Sequence, residues 1–389
     1  MSIRSAVLPA MRSAIRSALT QGGGIIQSIF ADGTDGFYFD FSKTDRLFQA
    51  QFGAIADGAG ENIGVALESH AWGGGTLAQQ TELVTDGSFS VGISQVVAAR
   101  NAVLSWDGSQ RLRVEHGGTA EPQGRIALAT TSGVPISITF DVVAGSGATG
   151  LIRVYAADGT TALLSSGALA AGTYNAVVTP TGSTTYLSLG ANTNILGAFT
   201  LFDNVLVKRV PGNHGLQATT AAQPKWQTGG LARFDGSDDN WLTTLMPGTA
   251  MTLLFKGVIP AASASLKVFL GAQESSTGRC HLYMNTSGNL ACAAGDNSFN
   301  SAISIASSTC VIGAIFSGGQ AYYCHNGSVT AAGAYTGDPT ALRQLAIGAR
   351  NVNGTLDLFS NPDAARALAI RKALTAAEIA AITNLWGTS

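Results

Sequence analysis

The chain has 389 residues, a formal net charge of −2 and only 12% charged residues, about half of the usual ~25%. A hydrophobic content of 46% and a positive mean hydropathy exclude a disordered chain. The 48 glycines follow no period of three, which excludes collagen, and the near-neutral charge disfavours a double-stranded nucleic-acid binder. At roughly 150 residues per domain, the length predicts two or three domains.

The chain carries no signal for membrane insertion or secretion. No run of about 18 apolar residues occurs, so no transmembrane helix is predicted. Arg4, Arg12 and Arg16 interrupt every apolar stretch near the N-terminus, which disfavours a signal peptide. We therefore expect synthesis in the cytoplasm, followed by retention there or release by a route that ignores signal peptides.

Residues 1–24 repeat a short basic motif and end in three glycines. Three copies of Ile/Met-Arg-Ser-Ala occur, and the second and third are four residues apart, which places these two on one face of a helix. We interpret this segment as an anchor that orders against a partner, with a frayed basic tail or a membrane-surface helix as alternatives. The residues assigned to the anchor are Ile3, Arg4, Met11, Arg12, Ile15, Arg16 and Leu19.

Beyond the glycines, alternating and aromatic stretches predict strands. The first is 36–41, and we interpret 25–81 as a connecting region proximal to the particle or partner that the N-terminus binds. From residue 82 onward, turn sequences separate short strands without helical periods between them, which predicts a β-sandwich over 82–211. Its clearest strands are 136–140, 151–155, 186–189 and 202–207.

A boundary at Pro211-Gly212-Asn213 begins a second region of short strands, 212–389. The period changes near its end, where Thr375 and Glu378 form a capping-box pattern at the start of an apolar helix that runs to about Trp386. The predicted fold class is therefore mainly β. It comprises two antiparallel β-sandwich, or jelly-roll, domains with a short N-terminal helical anchor and a C-terminal helix.

Both predicted domains resemble known families. Residues 212–389 resemble the concanavalin A-like, laminin G-type jelly roll in Arg233-Phe234-Asp235-Gly236, in the hairpin sequence 323–327 and in the closing helix. Residues 82–211 resemble a carbohydrate-binding-module-type jelly roll in their opening strand 82–89 and closing strand 202–205. With the basic leader, the combination resembles structural proteins of tailed-bacteriophage virions, which implies lectin-like sandwiches projecting from a particle.

The carboxylates do not form a recognisable catalytic pattern. A retaining glycanase needs two carboxylates about 5–5.5 Å apart, and no Glu-x-Asp-x-Glu string supplies them on one strand. The Gly-x-Gly-x-x-Gly match at 145–150 precedes a strand instead of a helix, so it predicts a hairpin and no nucleotide site. We expect no enzymatic activity, with a glycan-degrading enzyme as the less favoured alternative.

Two clusters carry weaker ligand hypotheses. The resemblance to laminin G-type domains implies calcium as a weak candidate at Asp235, Asp238 and Asp239, whose oxygens suit that ion. Turn formation is the alternative interpretation of this sequence, and we expect no other cofactor. Zinc at Cys280-His281 or Cys324-His325 is disfavoured, because adjacent side chains of a strand point to opposite faces.

Four cysteines lie within 45 residues of one another. Cys280 and Cys292 flank one predicted turn, and Cys310 and Cys324 flank another, so the candidate disulfides are 280–292 and 310–324. Because the chain is expected to be made in a reducing compartment, buried reduced thiols are an open alternative.

Sugar-binding sandwiches use aromatic rings together with a few polar side chains, although any one such ring also fits core packing. The candidates here are Trp72, Trp106, Trp241, Tyr322 and His325. We expect a non-enzymatic virion protein, such as a tail fibre or another projecting adhesin, that binds other virion proteins through its N-terminus and host-surface glycans through its sandwiches. A purely structural decoration or baseplate protein is the alternative. A homo-oligomer, with a trimer favoured, is expected because avidity strengthens weak binding.

Overall fold

The computed structural model describes residues 24–49, 52–53, 56, 58–68, 80–340 and 343–387, and the predicted anchor residues and Trp72 lie outside them. Within these ranges the chain is mainly β, with antiparallel sheets and two α-helices, which confirms the predicted fold class. It divides into two compact units. Unit 1 comprises Met1–Leu47, Ala56–Gly75 and Gly212–Ser389, and unit 2 comprises Phe48–Ile55 and Thr76–Pro211.

The strands are short and connected mostly by turns. In chain order they are β1 (Gly36–Asp40), β2 (Leu47–Phe48), β3 (Phe52–Gly53), β4 (Val65–Ala66), β5 (Val96–Ala99), β6 (Ala102–Trp106), β7 (Leu112–His116), β8 (Gln123–Ala129), β9 (Ile136–Ser146), β10 (Thr149–Tyr155), β11 (Ala162–Ser165), β12 (Gly172–Val178), β13 (Thr184–Asn192), β14 (Phe199–Arg209), β15 (Gly215–Leu216), β16 (Lys225–Gln227), β17 (Leu231–Arg233), β18 (Trp241–Leu242), β19 (Met251–Val258), β20 (Lys267–Gln273), β21 (Arg279–Met284), β22 (Asn289–Ala294), β23 (Asn297–Ser304), β24 (Thr309–Ser317), β25 (Gln320–His325), β26 (Ser328–Ala334), β27 (Ala346–Ile347), β28 (Arg350–Val352), β29 (Thr355–Asp357) and β30 (Asp363–Ile370). The α-helices are α1 (Gly24–Ile29) and α2 (Ala376–Trp386), and single 3-10 turns lie at Thr44–Arg46 and Thr220–Ala222.

Unit 1 is a sandwich of two sheets. Sheet A has the order β16–β17–β30–β19–β24–β25–β26, and β1 also pairs with β30. Sheet B has the order β2–β4–β15–β18–β27–β20–β21–β22–β23, with β28 parallel to β20 and antiparallel to β29. Side chains that alternate toward the space between the sheets form the core, and its large aromatic members include Phe37, Phe39, Trp241, Phe255, Phe269 and Phe316.

Unit 2 is a second antiparallel sandwich. Sheet C has the order β3–β12–β9–β14–β7–β6, and sheet D has the order β11–β10–β13–β8–β5. The glycine-rich sequence at 145–150 does not form the predicted hairpin, because β9 pairs within sheet C and β10 within sheet D. It is the connection from one sheet to the other, with a positive φ of 70° at Gly147. Residues of both sheets share one core, including Ile126, Phe140, Ile152, Leu187 and Phe202.

The segment 25–81 is not the independent connecting region that we expected, because its parts belong to the two units. Strand β1 pairs with β30 along its whole length, from Gly36 opposite Ile370 to Asp40 opposite Arg366. Asn213 holds the start of this strand, because its amide nitrogen donates to Asp35 Oδ1 at 2.8 Å and to the Gly36 carbonyl at 2.6 Å. Tertiary pairing therefore incorporates the aromatic strand into unit 1.

Two helices cover the outer face of sheet A. Helix α2 begins with the predicted capping box, in which the Thr375 hydroxyl accepts from the Glu378 N–H and the Glu378 carboxylate accepts from the Thr375 N–H. Helix α1 was not predicted, because its six residues, which begin at the last of the three glycines, give too short a periodic pattern. Among the helices of the described residues, none is long and apolar enough to cross a membrane.

All four cysteines are buried free thiols, so neither predicted disulfide is formed. Cys280 lies opposite Ala294 and Cys292 lies opposite Leu282, which makes the two cysteines diagonal neighbours, and diagonal Cα atoms, about 7–8 Å apart, are too distant for the bond. Cys310 packs into the sandwich core while Cys324 packs under the helices on the other face of sheet A. Burial raises the pKa of each thiol above its usual value, so these groups are protonated at neutral pH.

Sheet B contains a buried histidine. His281 is 4% exposed, and its Nε2 has no hydrogen-bond partner among the described residues. Burial is the main reason that the pKa of His281 is lowered to about 3, and the nearby guanidinium groups of Arg350 and Arg279 lower it further. The folded protein therefore holds this imidazole in its neutral form.

We predict that the protein loses stability as the pH falls from about 6.5 to about 3. In the unfolded chain His281 takes up a proton near its ordinary pKa of 6.5, whereas in the folded chain it stays neutral until about pH 3. Each pH unit within this window therefore lowers the free energy of unfolding by up to about 1.4 kcal/mol. Urea unfolding at several pH values measures the slope. His281→Gln, which cannot titrate, is expected to flatten it; an equal slope in wild type and variant would contradict the prediction.

We predict that the contacts at the two ends of helix α2 differ in their contribution to stability. Thr375→Ala removes the capping hydroxyl and is expected to lower the free energy of unfolding by about 0.5–2 kcal/mol. Thr375→Ser retains that hydroxyl and serves as the control. Trp386 is buried and its ring stacks on Tyr38 at 6.1 Å, so Trp386→Ala is expected to cost about 3–5 kcal/mol through the cavity it leaves. Chemical denaturation measures all three, and a loss in Thr375→Ser equal to that in Thr375→Ala would refute the capping assignment.

Candidate functional site

The outer face of sheet D carries a row of polar side chains. Strand alternation sends Ile126 and Leu187 into the core of unit 2, so their neighbours on β8 and β13 point outward. Arg125 lies directly opposite Ser188, and Ser188 lies opposite Arg153 on β10. This register places two guanidinium groups and a hydroxyl side by side across three strands.

Arg125 is held in a fixed position above an aromatic ring. Its Nε and Nη2 donate to Gln123 Oε1 at 3.3 and 3.1 Å, and its Nη1 donates to the Gly159 carbonyl at 3.0 Å. The guanidinium carbon lies 4.7 Å from the ring centre of Tyr155, which is only 4% exposed. Tyr155 is therefore covered by the arginine and supports it by a cation–π contact.

The second arginine of the row is neutralised. Arg153 forms an ion pair with Glu121 at 2.5 Å and donates from Nε to Ser165 Oγ at 3.3 Å. Ser188 is buried between the two arginines, and its Oγ has no hydrogen-bond partner within the described ranges. The face thus contains one arginine paired with a carboxylate, Arg153, and one, Arg125, that is held by the uncharged Gln123 side chain and Gly159 carbonyl.

The β10–β11 turn forms one wall of the site. Asp158 Oδ1 accepts from the N–H groups of Thr160 and Thr161, both at 2.8 Å, and its Oδ2 accepts from Thr161 Oγ1 at 2.5 Å. The hydrogen bond from the Thr161 side chain is the largest of the causes that lower the pKa of Asp158 to about 2. Gly159 adopts a φ of +67°, and an added Cβ there would lie 3.2 Å from Arg125 Nη1, which explains the glycine.

These groups surround an open cavity of about 400 Å³ on the face of sheet D. Tyr186 is half-buried and presents an aromatic surface, while Arg125 and Asp158 are the charged side chains among the described residues of the lining. Aromatic surface next to hydrogen-bond donors and acceptors suits a ligand with both C–H faces and hydroxyl groups. The cavity is lined by Val97, Ala98, Ala99, Arg125, Ala127, Ala157, Asp158, Gly159 and Tyr186.

Trp241, predicted as a glycan-binding residue, is instead part of the core of unit 1. Its ring is fully buried, stacks on Phe41 at 5.1 Å and meets Phe234 edge-on at 5.2 Å. Its indole N–H donates to the Ile63 carbonyl at 2.8 Å. The sequence prediction was wrong because the strand pairings of β18 turn this side chain toward the space between the sheets.

The other described aromatic candidates lie apart from the cavity. Trp106 is 48% exposed at the end of β6, and its indole N–H already donates to the Phe89 carbonyl at 2.8 Å. Tyr322 packs against the hydrophobic cluster beneath the helices, whereas His325, three positions along the same strand, faces the other side. Burial lowers the pKa of His325. None of these three residues lines the cavity.

The predicted calcium residues do come together in unit 1. Single carboxylate oxygens of Asp235, Asp238 and Asp239 lie within 4.8 Å of one another. Burial is the main cause that raises the pKa of Asp239 to about 6, and the negative charges of its two neighbours contribute. Three carboxylates fit a hard cation by donor type, and these residues would hold it. These carboxylates also accept N–H groups of the turn, as from Asp235 N to Asp239 Oδ2 at 2.7 Å.

Sheet C contains a carboxylate pair that the sequence analysis missed. Asp141 on β9 and Asp203 on β14 lie directly opposite each other, a position that places Cβ atoms about 4.5–5.5 Å apart. Each oxygen of Asp141 accepts a hydrogen bond from a neighbouring side chain, Oδ1 from Thr173 Oγ1 at 2.6 Å and Oδ2 from Asn204 Nδ2 at 2.7 Å. The search for alternate acids on one strand could not find a pair formed across two strands.

The residues of the cavity were likewise not predicted from the sequence. Tyr186 lies in a strand that was predicted correctly, and Asp158 lies in a sequence recognised as a turn, but neither was considered as a ligand-binding residue. The available signal was the outward position of Arg125 and Tyr186 in strands whose alternate residues are apolar. Their convergence depends on the order β10–β13–β8, which no local pattern encodes.

No protein-family model and no curated protein matches the chain. Among solved structures, it is similar to the CBM22-1 xylan-binding domain of Paenibacillus barcinonensis Xyn10C, with 15% identity and a TM-score of 0.27 over 34% of this chain and 97% of that domain. It is similar to the enzymatically active domain of bacteriophage CBA120 tailspike protein 4, with 14% identity and a TM-score of 0.26 over 33% of this chain and 21% of that one.

A longer similarity joins the chain to a Trypanosoma rangeli sialidase in complex with 2,3-difluorosialic acid. The identity is 10% and the TM-score 0.37, over 74% of this chain and 61% of the sialidase. At these identities and TM-scores, none of the three similarities indicates what this chain binds or catalyses.

Proposed function

We propose that the protein is a glycan-binding protein and that the cavity on sheet D of unit 2 is its saccharide site. The observation that carries the proposal is the convergence of an accessible tyrosine ring, a fixed guanidinium group and an exposed carboxylate around one open cavity of about 400 Å³. Small-molecule sites combine a shaped concave surface with a few convergent polar groups in this way.

The arrangement suits a sugar because each part of a pyranose ring finds a partner. The C–H face of the ring can stack on Tyr186, and Ala99 and Ala127 add apolar surface beside it. Arg125 can donate to ring hydroxyls, and Asp158 can accept from them. The guanidinium is already held by Gln123 and Gly159, so little side-chain entropy is lost when a ligand binds.

We further propose, from the basic leader and the virion resemblance, that this binding serves attachment. The chain acts as a non-enzymatic, projecting virion protein that binds other virion proteins through residues 1–24 and host-surface glycans through its sandwiches. A homo-oligomer, with a trimer favoured, raises weak saccharide affinity by avidity, roughly 10²–10⁴-fold. Negative-stain imaging of particles labelled with antibody against this chain tests the location, and light scattering tests the oligomer.

We predict that Tyr186→Ala weakens saccharide binding at least tenfold, because it removes the stacking surface, whereas Tyr186→Phe retains most of the affinity. A glycan array followed by calorimetry on the bound saccharide measures both. Trp106→Ala is the matched control, since Trp106 is an accessible aromatic residue of the same unit that does not line the cavity. If Trp106→Ala lost saccharide binding while Tyr186→Ala kept it, the prediction would be wrong and the saccharide site would lie at Trp106.

The Asp141–Asp203 pair is the observation that favours a second candidate, a glycan-cleaving enzyme. We expect no release of reducing ends from host-envelope polysaccharide, because both Asp141 oxygens are bound by neighbouring side chains. A reducing-sugar assay compares wild type with Asp141→Asn and Asp203→Asn. Activity in wild type that both variants abolish would overturn the non-enzymatic assignment.

A further inference from the structure

We infer that the cavity on sheet D selects neutral saccharides over acidic ones, and that Asp158 sets this selectivity. This inference rests on the proposed function of the same cavity, and it names the class of glycan that the cavity takes. It follows from the hydrogen-bonding capacity left on Arg125 and Asp158 and from the balance of charge around the cavity.

Arg125 retains donors for a ligand. A guanidinium has five N–H groups, and three of those of Arg125 are used: one on Nε, one on Nη2 and one on Nη1. One N–H group remains on each terminal nitrogen. The acceptors of Arg125 are the neutral Gln123 side chain and the Gly159 carbonyl, so neither offsets the positive charge of the guanidinium.

Asp158 supplies the matching acceptor and the opposite charge. Oδ1 accepts two backbone N–H groups, but Oδ2 accepts from Thr161 Oγ1, and the residue is exposed to solvent. With one of its two lone pairs used by Thr161, Oδ2 retains one lone pair for a ligand. With its pKa lowered to about 2, mainly by the hydrogen bonds of the turn, the carboxylate is ionised throughout the neutral range.

Donors on one side and an acceptor on the other match a pair of sugar hydroxyl groups. One hydroxyl can accept from Arg125 while another donates to Asp158, and both side chains flank the same turn because Arg125 bonds the carbonyl of Gly159, the residue after Asp158. An ionised carboxylate of a ligand accepts hydrogen bonds but does not donate them. It could accept from Arg125, but it would place a second negative charge beside Asp158.

The charges of the lining cancel. Of the nine residues that line the cavity, Arg125 and Asp158 are the charged ones. The next arginine in the row, Arg153, is paired with Glu121. Since no net positive charge remains to offset the desolvation of an anion, an acidic sugar gains less here than a neutral sugar of the same shape.

The test uses matched pairs of oligosaccharides that differ at one position, a hexose in one member and the corresponding hexuronate in the other. Calorimetry on the full chain at low and high salt measures the dissociation constants. For any pair that the wild type binds, we expect the hexose-containing member to bind at least tenfold more tightly than the hexuronate-containing member. Asp158→Asn retains a side-chain oxygen that can accept the turn N–H groups but removes the charge, so it is expected to narrow that preference at least fivefold.

Asp338→Asn is the matched control, because Asp338 accepts the Thr340 N–H in a similar turn of unit 1 and is not part of the cavity. Wild type that prefers the hexuronate, or binds both members equally, overturns the inference and leaves the proposed function standing. An unchanged preference in a folded Asp158→Asn overturns the role of Asp158. Wild type that binds no saccharide, neutral or acidic, overturns the proposed function and with it the inference.

Discussion

The pairing of β1 with β30 is the contact on which the packing of unit 1 depends. It joins residues more than 320 positions apart and extends over five residues of β1. Only glycine fits at its start, since a Cβ on Gly36 would lie 2.4 Å from the Ala369 carbonyl oxygen. The alternation that follows sends Phe37 and Phe39 into the sandwich core and Tyr38 outward.

The outward side of this strand then organises the helices. Tyr38 stacks on Trp386 at the end of α2, and the Trp386 carbonyl accepts a hydrogen bond from Lys256 Nζ. A positive charge at a helix C-terminus is stabilising, because the unpaired carbonyl groups there carry partial negative charge. Apolar residues of α1 join the same cluster, so the two terminal helices bury a sheet face that would otherwise be exposed apolar surface.

Local environment gives chemically identical groups opposite properties in this protein. Burial beside two acids raises the pKa of Asp239 to about 6, whereas hydrogen bonds from an exposed turn lower the pKa of Asp158 to about 2. The same contrast separates the arginines of sheet D, since Arg153 is neutralised by Glu121 while Arg125 is held by uncharged acceptors. The candidate site therefore depends on the neighbours that each charge acquires on folding.

The sequence by itself determined the local structure. The mainly-β class, the four clearest strands of unit 2 and the capping box at Thr375 depend on residues within a few positions of one another, so their patterns are readable directly. Only the tertiary structure decided which strands pair. That pairing placed β1 in unit 1, put Trp241 in the core and set Cys310 and Cys324 on opposite faces. It also brought Arg125, Asp158 and Tyr186 to one cavity. A strand's sequence states which residues share a face, but its partners are set by packing energies summed over the whole domain, which no local pattern records.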